Sequence, residues 1–233
     1  MKATEGIRGV VVIGAGFIGL EIAEALCRRG LGVTVIEREE RVLPRMLDDE
    51  MASILKAHLE RNGLRIVTSK GIASINRNRK GEIEGVILED GSSIACGIVV
   101  VATGVRPNIG IIKDARIRTD YGIVVDDHMR TSIPDVYAAG DISEIEINGI
   151  RKVNPIHINA VRSGEVAGYN MAGMERRMDS HIEDMNVVTL FGLSVLSIGS
   201  KTGERVIKNE RSDSIVKVFT MENGSIIRYT DNR

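Results

Sequence analysis

Little in this sequence calls for an oxidising compartment, a metal ion or a membrane. Only two cysteines occur, Cys27 and Cys96, far apart and without a CxxC pair or a metal-ligand spacing. Neither a disulfide framework nor a zinc site is expected, and both are read as small core residues. No apolar run reaches the roughly 18 to 20 residues of a membrane-spanning helix, and the opening MKATEGIRG lacks the apolar stretch of a signal peptide. The expected location is the cytoplasm, with no membrane partner. An excess of one charge is missing as well: a formal net charge of -1 sets up no global field to recruit nucleic acid. The basic cluster Arg77, Arg79 and Lys80 has no interleaved aromatics on which bases could stack, so it is read as a solvated hairpin tip. His58, His128 and His181 show no partner in the sequence and are read as surface residues.

What is present is a soluble, globular composition, 43% hydrophobic over 233 residues, with room for more than one domain. The run from Val10 to Ile13 suits a buried parallel strand. Phe17 to Arg29 then show helical spacing that Gly30 stops, and Val33 to Ile36 supply a second buried strand, completing a βαβ unit. Asp48 and Asp49 offer a cap for a helix running to about Asn62, and Leu64 to Val67 form a third strand. The period then changes. Ile72 to Asn76, Val86 to Glu89 and Ser93 to Ala95 read as an antiparallel meander, after which Ile98 to Val101 return as a buried strand. Further on come strands from Gly122 to Val125 and from Val136 to Ala138, a hairpin around Asn148-Gly149 and a helix from Ile158 to Met171. Met171, Met174 and Met178 are read as packing residues. Beyond about residue 179 the pattern is mostly β, with strands near Val187, Val195, Ile215 and Ile226. The fold class is therefore α/β, a doubly wound unit with an inserted meander followed by smaller mixed segments.

The motif that carries chemistry is Gly14-Ala15-Gly16-Phe17-Ile18-Gly19. Gly14 permits a tight turn, Gly16 lets backbone approach a pyrophosphate, and Gly19 lets helix and strand pack closely. A bare GxGxxG also marks plain turns, but here a strand precedes it, a helix follows, and Glu37 closes the second strand about 20 residues on, where a carboxylate can accept both ribose hydroxyls. Dinucleotide binding is the expectation. Glu37 also favours NAD over NADP, since it would repel a 2′-phosphate, with Arg38 beside it acting in the opposite sense.

Three ordered stretches, VVIGAGFIGLE at 11–21 with its preceding valine, ATGVRPN at 102–108 and TSIPDVYAAGD at 131–141, resemble signatures of the FAD- and NAD(P)-dependent pyridine nucleotide-disulfide oxidoreductase family, and within it the NADH oxidase, rubredoxin or ferredoxin reductase and nitrite reductase branch. The resemblance implies a Rossmann-like NAD(P)-binding domain over residues 1–103, the second part of an FAD-binding domain over 104–178 and a partial α+β interface domain over 179–233. It also implies roles. Phe17 would cover the nicotinamide pocket, with Ile18 beside it also cofactor-binding, Glu21 would lie near the carboxamide, and Gly104 where backbone approaches the cofactor. Gly140 would give the flavin chain room, Asp141 would bond a ribityl hydroxyl, and the helix start at Asn154-Pro155-Ile156-His157 would face the pyrimidine edge of the flavin. No catalytic side chain is assigned, His157 being read as a polar helix-start residue.

No second GxGxxG occurs, although family members carry one for the ADP half of FAD. NADH is therefore expected to bind, and FAD to be held weakly or not at all by this chain alone. Two readings stay open. One is an NADH-dependent, FAD-linked oxidoreductase, present as a fragment or as one subunit whose FAD half sits on a second polypeptide, with a homo-oligomer compatible with it. The other is a non-enzymatic NAD-binding module or truncated gene product; an assembly subunit pairing through exposed strand edges is a weaker third.

Overall fold

The computed structural model describes residues 9–147, 150–178, 185–198, 205–210 and 215–220. The chain divides into two units, one of residues 1–104 with 185–233 and the other of residues 105–184.

The first unit is built on four parallel strands, β1 (Val10–Ile13), β2 (Val33–Ile36), β3 (Arg65–Val67) and β7 (Ile98–Val101), in the order β3-β2-β1-β7. Helix α1 (Phe17–Cys27) joins β1 to β2, and α2 (Asp49–Arg61) joins β2 to β3. The chain reverses direction across the sheet at β1, which is flanked by β2 on one side and β7 on the other. In such sheets the crevice beyond the strand ends at the reversal point is where ligands bind. Between β3 and β7 the predicted meander is present as β4 (Ile72–Arg77), β5 (Ile83–Leu88) and β6 (Ser93–Ala95), paired in sequence order.

The alternation of side chains along β1 divides the core. Val10 and Val12 pack with Leu20, Ala23, Leu55 and Leu59 beneath the helices, whereas Val11 packs with Val86, Leu88 and Cys96 of the meander side. Each fully buried Val or Leu here contributes about 1.5–3 kcal/mol. Burial pushes the Cys96 thiol pKa up, so this residue is an inert core group, while Cys27 is half-buried and donates to the Asn62 carbonyl. Asp48 caps α2 by accepting the Met51 N–H at 3.0 Å.

The β-rich end of the chain returns to this unit. Strands β11 (Met185–Leu190) and β12 (Leu193–Ile198) form a hairpin whose Val188, Leu190 and Val195 are buried in the same core as α1 and α2. Polar ties reinforce it. The His58 ring nitrogen lies 3.2 Å from the Leu190 carbonyl, and Ser197 Oγ donates to the Met46 carbonyl. Two further strands, β13 (Arg205–Glu210) and β14 (Ile215–Thr220), pair antiparallel. The first of these was not expected from the sequence, and the strand expected near Ile226 lies outside the described residues.

The second unit has a three-stranded sheet, β8 (Ile123–Val125), β9 (Ser143–Ile147) and β10 (Ile150–Lys152), in which β8 and β9 are parallel and β9 and β10 antiparallel. The expected turn residues Asn148-Gly149 themselves lie outside the described residues. Helix α3 (His157–Met171) lays Val166 and Ala167 into a core with Ile123, Val125, Met129, Ile145 and Met178. Three expectations are corrected here. Val136 to Ala138 are not a strand: Tyr137 makes a single bridge to Arg130, because no neighbouring strand runs beside this segment among the described residues. Of the three methionines only Met178 packs; Met171 and Met174 are exposed. His128 is a buried, partnered residue whose surroundings are described below.

Candidate functional site

The glycine-rich turn between β1 and α1 is set by contacts that only glycine permits. A Cβ on Gly14, whose φ is +103°, would stand 2.4 Å from the Ala102 carbonyl oxygen, and one on Gly19 would stand 2.0 Å from the Gly14 carbonyl oxygen. These two glycines let strand, turn and helix close on one another. Gly16 differs. A Cβ there would meet nothing within 4 Å, so the missing side chain leaves open space directly before the start of α1. That helix has no side-chain cap and no acidic residue in its first turn, which leaves its first N–H groups and the positive end of its dipole turned to an incoming anion.

Glu37, half-buried at the end of β2, is drawn into the same place. Its Oε2 accepts the Ala15 N–H at 2.6 Å and its Oε1 accepts the Glu39 N–H at 3.0 Å. Each carboxylate oxygen has two acceptor sites, so both remain able to take a ligand hydroxyl. The turn is further fixed by Gly14 N–H donating to the Ile36 carbonyl and Leu43 N–H to the Ala15 carbonyl. An orphan helix end, an open glycine cradle and a carboxylate with spare acceptor sites make a donor set that fits a pyrophosphate and a ribose diol.

The remaining candidates in this unit lie around the turn. Phe17 packs partly against the core, Ile18 is 54% exposed, and Glu21 and Arg38 are exposed. Ile18 thus leaves an apolar side chain at the surface where the helix begins. Gly104 has φ +107° with open space around the position a Cβ would take, and three residues before it Val101 at the end of β7 is 63% exposed.

In the second unit Gly140 (φ +77°) opens a short 3₁₀ turn, Gly140–Ile142, that is clamped against α3. Gly140 N–H donates to Ser163 Oγ at 2.9 Å, and Ser143 Oγ donates to the Gly140 carbonyl at 2.8 Å. Asp141 is exposed on this turn. Helix α3, like α1, has neither a side-chain cap nor an acid in its first turn. Such an end fits an acceptor or anionic edge, as the flavin assignment requires, and His157 stands exposed beside it.

Two features were invisible in the sequence. His128 is 6% exposed, with Nδ1 2.6 Å from Asp127 and Nε2 3.2 Å from Glu175. Arg177 reaches both carboxylates, and Met178 N–H donates to the Asp127 carbonyl, so the group clips the segment after α3 onto the turn after β8. His128 and Glu175 are 47 residues apart, and no local spacing signals such a pair. The second is Asn159, buried on α3 with neither side-chain amide atom partnered among the described residues.

Residues 2–164 match the pattern of the family described as pyridine nucleotide-disulphide oxidoreductase. An NADH oxidase of Methanocaldococcus jannaschii is 42% identical over 175 residues, which are 74% of this chain and 38% of that protein. An NADH-rubredoxin oxidoreductase of Clostridium acetobutylicum is 33% identical over 216 residues, 91% of this chain and 52% of that protein. Among solved structures, an NAD-dependent persulfide reductase from A. fulgidus superimposes with a TM-score of 0.88 at 30% identity, covering 97% of this chain and 46% of that one. The chain thus spans about half or less of the length of the relatives it matches.

Proposed function

The chain belongs to the pyridine nucleotide-disulphide oxidoreductase family, and from that premise we propose that it binds NADH at its glycine-rich turn and serves an NADH-dependent, flavin-linked oxidoreductase. The observation that carries this reading is the convergence of Gly16, the uncapped start of α1 and the Glu37 carboxylate on one open space. Gly14 and Gly19 shape the cradle, first-turn N–H groups of α1 hold the pyrophosphate, and Glu37 accepts the ribose hydroxyls. Phe17, Ile18, Glu21 and Gly104 border the nicotinamide end.

Glu37 is followed by exposed Glu39 and Glu40, so a 2′-phosphate would meet carboxylates on each side of Arg38, and NADH is preferred over NADPH. Gly140, Asp141 and the start of α3 receive the flavin. When bound, the two cofactors supply hydride passage from nicotinamide to flavin, and the chain supplies orientation and electrostatics. Relatives of comparable similarity are named for different acceptors, rubredoxin in one and persulfide in another. The residues matched here are accordingly proposed as the shared nicotinamide-and-flavin portion, with the acceptor, and any partner polypeptide or subunit, engaged by other parts of the assembly.

The test is an NADH titration of the wild-type chain and Glu37→Ala, with an absorption spectrum in the presence of FAD. Glu37→Ala is expected to weaken NADH about tenfold to a hundredfold, the loss of roughly 1–3 kcal/mol of charge-assisted hydrogen bonding, and to narrow the preference over NADPH. Unchanged NADH affinity would remove the ribose assignment. Because FAD is expected to be held weakly or not at all by this chain alone, a flavin band that NADH bleaches would favour a flavin-linked half-reaction on this chain, and NADH binding without one would mean a nucleotide-binding portion whose chemistry requires a partner polypeptide.

A further inference from the structure

Between β2 and α2 the backbone takes a shape that its own residues disfavour. Leu43 has φ +45°, in the left-handed region that is unfavourable for a bulky side chain, and it stands directly before Pro44, which biases a preceding residue toward extended backbone. Strain of this kind persists only where the surroundings over-determine it. Here they do. The Leu43 side chain is 2% exposed, in the core that α1, α2 and the β11–β12 hairpin share. Its carbonyl accepts the N–H groups of Met46 and Leu47, and the Met46 carbonyl in turn accepts Ser197 Oγ of β12.

What this shape secures is a bond to the glycine-rich turn. Leu43 N–H donates to the Ala15 carbonyl at 2.9 Å, while Ala15 N–H donates to Glu37 Oε2 at 2.6 Å, so the middle residue of Gly14-Ala15-Gly16 is gripped at both ends. The Ala15 carbonyl and the Gly16 N–H belong to one planar trans peptide and point to opposite sides of it. Holding the carbonyl on Leu43 therefore turns the Gly16 N–H away from Leu43. That N–H finds no acceptor among the described residues, and it belongs to the residue whose missing side chain leaves open space before α1.

We propose that Leu43 is a positioning residue for nucleotide binding: its left-handed backbone fixes the Ala15–Gly16 peptide so that the Gly16 N–H stands ready for a phosphate oxygen. Leu43 itself touches no ligand. A peptide free to rotate at this place would have to be ordered by the ligand at a cost in affinity, and Leu43 orders it in advance. This rests on the nucleotide part of the proposed function.

The experiment compares Leu43→Ala with Leu43→Gly in the full chain, each measured for ligand-free melting and, below its melting temperature, for NADH affinity by fluorescence titration. Both remove the buried side chain, so both melt below wild type. They differ in backbone: without the side chain to hold it, alanine relaxes out of the left-handed region, whereas glycine occupies that region without strain. Leu43→Ala is expected to bind NADH about tenfold more weakly, and Leu43→Gly to recover most of that loss, a rescue that a purely structural role would not produce. A third form keeps the side chain. Incorporating leucic acid at position 43 replaces the Val42–Leu43 amide by an ester and removes only the N–H that Ala15 accepts; it too should bind NADH about tenfold more weakly, and it decides the matter should either substitution fail to fold. Wild-type affinity in Leu43→Ala or in the ester form overturns the proposal, as does an equal loss in Leu43→Ala and Leu43→Gly. A wild-type chain that binds no NADH overturns the nucleotide reading itself, and this proposal with it.

Discussion

Gly16 and Gly19 belong to one motif, and the structure makes them respond in opposite ways to the same methyl group. On Gly19 a Cβ would stand 2.0 Å from the Gly14 carbonyl oxygen and 3.1 Å from its carbon. That oxygen is backbone and cannot swing aside, so α1 must lift from β1, an overpacking cost of about 1–3 kcal/mol or more. For a unit of this size that is a fall in Tm of several degrees, roughly 2–8 °C per kcal/mol. On Gly16 the Cβ meets nothing within 4 Å, and the backbone is already extended, at φ -78° and ψ -177°. Alanine there restricts the unfolded chain by about 0.4–1 kcal/mol and is a poorer helix cap than glycine by a similar amount, so stability stays close to wild type. The methyl instead occupies the approach of the pyrophosphate, and NADH should bind at least about tenfold more weakly, or about 1.4 kcal/mol. Calorimetry of the ligand-free variants and fluorescence titration with NADH read the two effects separately. Gly16→Ala binding NADH as tightly as wild type would refute the placement of the phosphates, and Gly19→Ala melting with wild type would refute the packing account.

Other outcomes follow from the same physical terms. Leu190→Ala removes the fully buried anchor of the β11–β12 hairpin and should destabilise the first unit by about 2–5 kcal/mol, read by denaturant unfolding with NADH affinity measured on the folded fraction. His128→Ala removes the buried partner of the Asp127 and Glu175 carboxylates, leaving them only the more distant Arg177 in common, and should cost about 1–3 kcal/mol, with amide exchange accelerated over residues 171–178; unchanged protection there would contradict a clip. Asp90 has its carboxyl held well below the ordinary 3.8 by the Lys70 hydrogen bond first and Ser92 next. A depressed folded-state value means that its stabilisation is present above about pH 4 and is lost as pH falls further. Asp90→Asn should flatten the stability profile on the acid side of pH 4, and an unaltered acid limb would count against the pair.

Much of the first unit can be read locally because its signals are local. β1 and β7 are continuous apolar runs and β2 is interrupted only by Thr34, the pattern of strands in a parallel sheet covered by other elements, although β7 is only half-buried and ends at the exposed Val101; Asp48 announces α2 by capping it. The Gly14 to Gly19 spacing is legible for the same reason, since the turn, the close helix packing and the open approach are demanded within six consecutive residues. Glu37 is legible through the length of one βαβ unit. Val136 to Ala138 mark where this kind of reading fails. Their β-branched and aromatic character fits a strand, but a strand requires a neighbour, and residue pattern does not say whether one runs alongside.

The sequence by itself determined the α/β class, the doubly wound order with its meander, and the position of the glycine-rich turn and of the acidic residue beside it, because these depend on periodicity and spacing along the chain. Tertiary structure alone decided that the β11–β12 hairpin completes the core of the first unit, that His128 is enclosed between two carboxylates, and that the Asn159 side chain is buried without a partner among the described residues while that of Asn170 makes four hydrogen bonds. Each of these depends on which distant groups meet and on whether every buried donor finds an acceptor. That accounting exists only once the chain has closed on itself.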